Sequence, residues 1–237
     1  MTPGEPTAVR ELFEQIAPRY DQLNDLLSFG LHRHWTRMVL ACLAPKPGDR
    51  CLDLCCGTGD LAFLLAAAVR PGGQVVGLDA AAAPLELARH RGRTQPWLPL
   101  RWLQGDALAT GLPAGWADAA SMAYGLRNLA DPAAGLAELR RVLRPGGRAV
   151  VLDFNRPDSG DPRAAGIQAF QRAYLQRIVV PVAGLAGLRD QYAYLEASLE
   201  RFPTGPEQER LARTAGFSSA RHHPMALGTM GRLELVA

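Results

Sequence analysis

Residues 51–66 read CLDLCCGTGDLAFLLA, an apolar run that breaks into a glycine turn and then resumes. The short first half, the small residues and the longer second half predict a buried strand, a tight loop and a helix. Asp53 stands inside the strand, Cys55 and Cys56 precede the turn, and Asp60 opens the helix. Small residues at the carboxyl end of a strand let a ligand approach the backbone. An acid inside an apolar strand needs a reason, because a buried charge is costly unless something compensates it.

Outward from this unit the pattern alternates. Helices are expected at 8–28 and 32–44, and strands at 50–56, 74–80, 100–107 and 117–125, with helical segments between the first three. Asp131 reads as an N-cap with Pro132 at the first helical position, where its missing N–H costs nothing. That helix ends at Pro-Gly-Gly, and RAVVLDF (148–154) is a fifth strand. A helix at 207–215 and strands near 217–225 and 228–236 close the chain, the last two pairing as an antiparallel edge. Strands separated by helices imply a doubly wound α/β sheet. A single domain over 1–237 is expected, with an N-terminal helical cap (1–45) and a helical insertion (156–204) on the substrate side.

Composition narrows the class. The 237 residues are 48% hydrophobic and carry a net charge of +3 without a Lys/Arg block, which argues against a nucleic-acid partner. The four cysteines (Cys42, Cys51, Cys55, Cys56) are clustered rather than spaced as a disulfide framework, which suits a reduced, cytoplasmic protein. Residues 1–8 do not read as a signal peptide. No apolar run approaches the ~20 residues that span a bilayer.

GTGDLA (57–62) satisfies the loose dinucleotide fingerprint, and Asp79 ends the next strand about 20 residues on. Alone this fits any nucleoside-binding sheet, with Gly57, Thr58 and Gly59 at the ligand and Asp79 accepting ribose hydroxyls. Asp53 is placed to meet a cationic amino group rather than a pyrophosphate. QGDA (104–107) puts Asp106 and Ala107 at the end of the third strand, suited to an adenine amino group. The ordered set resembles a class I S-adenosylmethionine methyltransferase, whose cofactor is cationic and has no phosphates. That likeness implies a Rossmann-like, seven-stranded, mostly parallel sheet with N-terminal helices and a helical insertion.

IAPRYDQLNDLLSFGLHRHW (16–35), GLRNLADP (125–132) and RVLRPGGRAVVLDFNRP (141–157) resemble the ubiquinone/menaquinone biosynthesis C-methyltransferase family over nearly the whole chain. LDLCCGTGD and LDFNRP look more like its demethylphylloquinone (2-phytyl-1,4-naphthoquinone) branch. Cys55 stands where the general pattern has its first glycine. The resemblance implies S-adenosylmethionine as cofactor, a prenylated naphthoquinol as substrate, and a cofactor contact at Ala123. No metal is expected, since Cys55 and Cys56 offer too few ligands for zinc and no carboxylate cluster suggests magnesium.

Methylating a ring carbon needs the electron-rich quinol, positioning, stabilisation of a developing phenolate and a proton acceptor. Arg127 is assigned the phenolate and Asn128 the ring oxygen, with Tyr20 or His32 relaying the proton. Against this, Arg127 would pair with Asp131, and Tyr20 would pack an amphipathic helix. His222 and His223 read as structural. Ile167, Phe170, Tyr174, Ile178 and Val182 form an apolar stripe with Arg163, Arg172 and Arg177 nearby. The stripe is expected either to close over the core or to touch a membrane surface peripherally. Self-association as a homodimer is a further expectation. A menaquinone or benzoquinol precursor is the alternative substrate, and a non-catalytic nucleotide-binding module is the alternative class.

Overall fold

The strands of the parallel sheet are nearly continuous apolar runs because helices cover both faces. The computed structural model describes residues 7, 9–11, 14, 30–174, 176–177, 181 and 197–237. Its strands are β1 (Arg50–Leu54), β2 (Gln74–Asp79), β3 (Leu100–Gln104), β4 (Ala117–Ala123), β5 (Leu143–Phe154), β6 (Ser219–Met225) and β7 (Met230–Val236). They form one sheet in the order β3-β2-β1-β4-β5-β7-β6. Neighbours from β3 to β5 are parallel, and β7 runs antiparallel to both β5 and β6. The expected antiparallel pair therefore forms, but β7 lies inside the sheet and β6 takes the edge. Seven matched positions of β7 against β5, from Arg148↔Val236 to Phe154↔Met230, hold it there.

Among the described residues, these helices accompany the sheet: α1 (Leu31–Leu43), α2 (Asp60–Ala68), α3 (Ala82–Arg93), α4 (Pro132–Val142), α5 (Ala164–Tyr174) and α6 (Gly205–Thr214). Side chains alternate across β1. Leu52 and Leu54 enter a core with Met122, Leu136, Leu139 and Phe202 on one face. Cys51 points to the other face, among Val39, Leu61 and Leu65 of α1 and α2. Asp53 shares that second face by the period of two, so it lies beneath α1. That helix buries His32, Thr36, Val39 and Leu43, spaced four, three and four residues apart.

Local chemistry ends these elements where the sequence suggests. The Asp131 side chain accepts from the amides of Ala133 and Ala134, with Pro132 beside it, and starts α4. Thr204 and Glu207 make a capping box at α6. Strand β5 differs from expectation. It reaches back through Pro-Gly-Gly to Leu143, with a register break against β4 between Ala117 and Ala119. Among the described residues no helix is long and apolar enough to cross a membrane.

Within 156–204, the described part of the insertion contains α5 and a helical stretch at 197–200. Ile167 lies half-buried against Gly228, whereas Phe170 is 56% exposed and stacks on Tyr174 at 6.3 Å. Ile178, Val182 and Tyr20 lie outside the described residues.

The loop after β1 packs closely on the turn after β4. Cys55 takes the left-handed conformation (φ 57°) that glycine adopts more readily. A Cβ at Gly125 would lie 2.7 Å from the Cys55 Cβ and 2.8 Å from its Sγ. Gly125→Ala should therefore destabilise the fold by about 1–3 kcal/mol through overpacking. Adding Cys55→Gly should restore most of that loss. Denaturant melts of the single and double variants check this, and additive losses would show that the two positions are not coupled.

Candidate active site

The crevice between β1 and β4, where the strand order reverses, is the place an open α/β sheet offers a ligand. Three backbone positions turn the chain there in the left-handed region: Cys55, Gly57 (φ 53°) and Gly59 (φ 91°). The Gly57 amide donates to Asp79 Oδ2 at 2.8 Å, and the Ala81 amide donates to Asp79 Oδ1 at 2.9 Å. One carboxylate at the end of β2 thus ties the glycine loop to the start of α3.

A cavity of about 430 Å³ opens beside this clamp. Gly57, Asp79, Asp106, Ala107, Ala123 and Asn128 all line it. Asp106 is exposed and accepts from the Leu108 amide at 2.9 Å, which fixes its own turn. A smaller recess of about 50 Å³ shares Cys55, Gly57, Ala123 and Tyr124 with the cavity and adds His32, Asp53 and Thr58. Most of the predicted positions are therefore brought together around two connected spaces. Gly59 is the exception among the glycines. It lines neither space, and its missing side chain makes room for Trp102, which would lie 2.5 Å from a Cβ there.

Asp53 is 2% exposed and accepts from Ser121 Oγ at 2.6 Å, with no cation paired to it among the described residues. Burial pushes its pKa up to about 7, against the downward pull of the Ser121 and Ala62 hydrogen bonds; Asp79 and Asp60 add to the rise. Burial also raises the pKa of Asp79, which its amide donors partly offset. Asp60 is engaged by Arg91 at 2.7 Å. Buried Asp53 on the recess and half-buried Asp79 on the adjoining cavity thus have no cation paired to them among the described residues, an arrangement that favours a positively charged ligand. Burial raises the Cys55 and Cys56 thiols well above their ordinary pKa. Among the described residues no group of three His, Cys, Asp or Glu side chains is placed to hold a metal ion.

Arg127 and Asn128 sit on a short 3-10 turn (Leu126–Asn128) after β4. Arg127 does not pair with Asp131, whose carboxylate is taken by α4 amides. Its guanidinium instead donates to Asp153 Oδ1 at 2.6 Å and to the Tyr124 carbonyl at 3.0 Å, and lies 5.1 Å from the Phe154 ring centre. The same Tyr124 carbonyl accepts from Asn128 Nδ2 at 2.8 Å. Arg127 is 9% exposed, its Nε has no hydrogen-bond partner, and it lines neither space. Ser121, Tyr124 and Asp153 are thus parts of the site that sequence reading missed. Asp153 carried a signal, since it repeats the theme of an acid near a strand's carboxyl end.

Residues 1–232 match the ubiE/COQ5 methyltransferase family. A 2-phytyl-1,4-naphtoquinone methyltransferase of Synechococcus elongatus is 50% identical over 233 residues, covering 98% of both chains. The chloroplastic 2-phytyl-1,4-beta-naphthoquinone methyltransferase of Arabidopsis thaliana is 42% identical, over 94% of this chain and 85% of that one. A SAM-dependent methyltransferase from Aquifex aeolicus superposes with a TM-score of 0.62 over 98% of both chains at 16% identity, a likeness of fold.

The raised pKa of Asp53 has a sign. Between its unfolded value near 4 and its folded value of about 7, the native state binds more protons than the unfolded state. Stability therefore falls as pH rises across that window. Asp53→Asn keeps an acceptor for Ser121 and removes the charge. In ligand-free protein its Tm should exceed the parent's above pH 7 and converge with it near pH 4. A Tm difference independent of pH would refute the shift.

Proposed function

The chain belongs to the ubiE/COQ5 methyltransferase family, and on that footing we propose that it C-methylates a prenylated naphthoquinol, converting demethylphylloquinol to phylloquinol. The cofactor is S-adenosylmethionine, which supplies an electrophilic methyl group on a sulfonium centre. The observation that carries the reading is Asp53, a buried carboxylate facing the recess with no cation paired to it among the described residues. It fits a ligand that brings positive charge and no phosphate.

In this reading Asp79 accepts the ribose hydroxyls, and Asp106 with Ala107 meets the adenine amino group. Gly57, Thr58 and Ala123 approach through small groups, and Asp53 offsets the cationic amino-acid end. The substrate must be the quinol, because a quinone ring is too electron-poor to act as a carbon nucleophile. Loss of a hydroxyl proton makes the ortho carbon strongly nucleophilic; Asn128, on the cavity wall, meets the oxygen left behind, and Arg127, set back from both spaces, adds positive charge behind it. The Asp153 bond and the Phe154 ring fix the guanidinium plane, so orientation is set before substrate arrives. His32, 6% exposed on the recess wall, takes up the hydroxyl proton, with Tyr20 as its alternative, and the proton of the methylated ring carbon returns to the oxygen to restore the quinol.

Under anaerobic conditions the enzyme should methylate the reduced naphthoquinol and leave the oxidised quinone unchanged until dithionite is added. In the same assay Arg127→Ala should lose about 10²–10³ in kcat while cofactor affinity holds within about twofold. Equal rates on quinol and quinone would overturn the chemistry. Normal turnover in the variant would remove Arg127 from it.

A phytyl tail lives in a bilayer, so the protein must meet a membrane surface to collect it. Exposed Phe170 on α5, with Arg163, Arg172 and Arg177 exposed nearby, suits an interfacial contact with anionic lipid. Leu227 is 89% exposed within the turn Ala226–Gly228, whose Gly228 packs against Ile167. Phe170→Ser with Leu227→Ser should weaken co-sedimentation with anionic liposomes by several-fold and raise KM only for long-tailed substrate. Equal losses on long- and short-tailed substrates would make these side chains part of the protein's own packing.

A further inference from the structure

Helix α3 begins without a cap of its own. Its N-cap is Ala81, which has no side-chain acceptor, and its first turn holds no acid. The first amides of a helix nevertheless need acceptors. Asp79 takes the Ala81 amide. The next two amides are taken by a residue far away in sequence. Ala82 donates to Glu14 Oε1 at 2.6 Å, and Ala83 donates to Glu14 Oε2 at 2.8 Å. Both oxygens of one carboxylate are used, at the positive end of the helix dipole.

The same stretch of chain walls the cofactor cavity. Thr7, Val9 and Arg10 line it together with Asp79, Ala81 and Pro84. Glu14 thus ties the chain that carries Thr7, Val9 and Arg10 to the helix whose start also holds the clamp on the glycine loop. The two carboxylates sit on successive amides, and the Glu14 charge is one of the contributions that raise the pKa of Asp79. A hydroxyl donor arriving at Asp79 offsets that repulsion, so ligand binding and the Glu14 contact favour each other. Such coupling is reciprocal.

We propose that Glu14 is a positioning residue for the cofactor: it pins Thr7, Val9 and Arg10 against the cavity and sets how long the ligand stays. This rests on the cavity being the S-adenosylmethionine site. A side chain that only capped α3 would change the stability of the helix but not the residence time of the ligand.

The test uses full-length protein with S-adenosylmethionine and S-adenosylhomocysteine as probes. Calorimetry on the parent comes first, and absence of binding there would remove the cavity reading along with the proposal. Glu14→Ala and Glu14→Gln should then speed S-adenosylhomocysteine dissociation by about tenfold, the scale of a lost charge-assisted contact. Glu14→Asp, one methylene shorter, should fall between. Ligand-induced protection from hydrogen exchange over residues 7–14 should be present in the parent and lost in Glu14→Ala. Parental dissociation rates and protection in a folded Glu14→Ala, whether or not its Tm falls, would overturn the proposal.

Discussion

The carboxylate of Asp79 is the interaction on which the site depends. Its two oxygens accept from Gly57 and Ala81, joining the turn after β1 to the turn after β2. Those turns contain backbone that prefers to be elsewhere: Cys55 is left-handed without being glycine, and Gly57 and Gly59 follow in the same region. Without this shared acceptor the Gly57 and Ala81 amides would lose their partner, at a cost of about 1–3 kcal/mol each. The clamp makes one rigid floor of two loops, and the cavity is the space above it.

A second constraint follows from charge. Buried Asp53 and half-buried Asp79 both lie beside this floor, where desolvation raises the pKa of each and the Asp79 charge adds to the rise at Asp53. The fold tolerates the pair because hydrogen bonds from Ser121, Ala62 and the loop amides offset part of the desolvation; no cation among the described residues does so. Stability is thus given up at a place where a cationic ligand recovers it, as functional sites commonly show.

Much of this was legible from local patterns. The period of two in β1, the glycine turn and the Asp131-Pro132 start of α4 each state their structure within a few residues. What remained hidden depends on partners distant in sequence. Asp131 is closest in sequence to Arg127, but helix amides claim it first, and Asp153, 26 residues away, takes the guanidinium. Nothing near Ser121 or Glu14 announces the partners they meet 68 residues away. The position of β7 was equally unreadable, because a strand inside the sheet and a strand at its edge show similar alternation. The extension of β5 through Pro-Gly-Gly was missed because that tripeptide usually marks a break.

The two thiols on the cavity wall have a consequence for the chemistry proposed. Quinones are Michael acceptors, and a thiolate within reach of one forms a thioether that ends the enzyme's working life. Cys55 lines both the cavity and the recess, and Cys56 the recess. Burial holds both thiols well above their ordinary pKa, so they stay protonated and weakly nucleophilic. The same close packing that sets the turn therefore also keeps both thiols in their less reactive, protonated form.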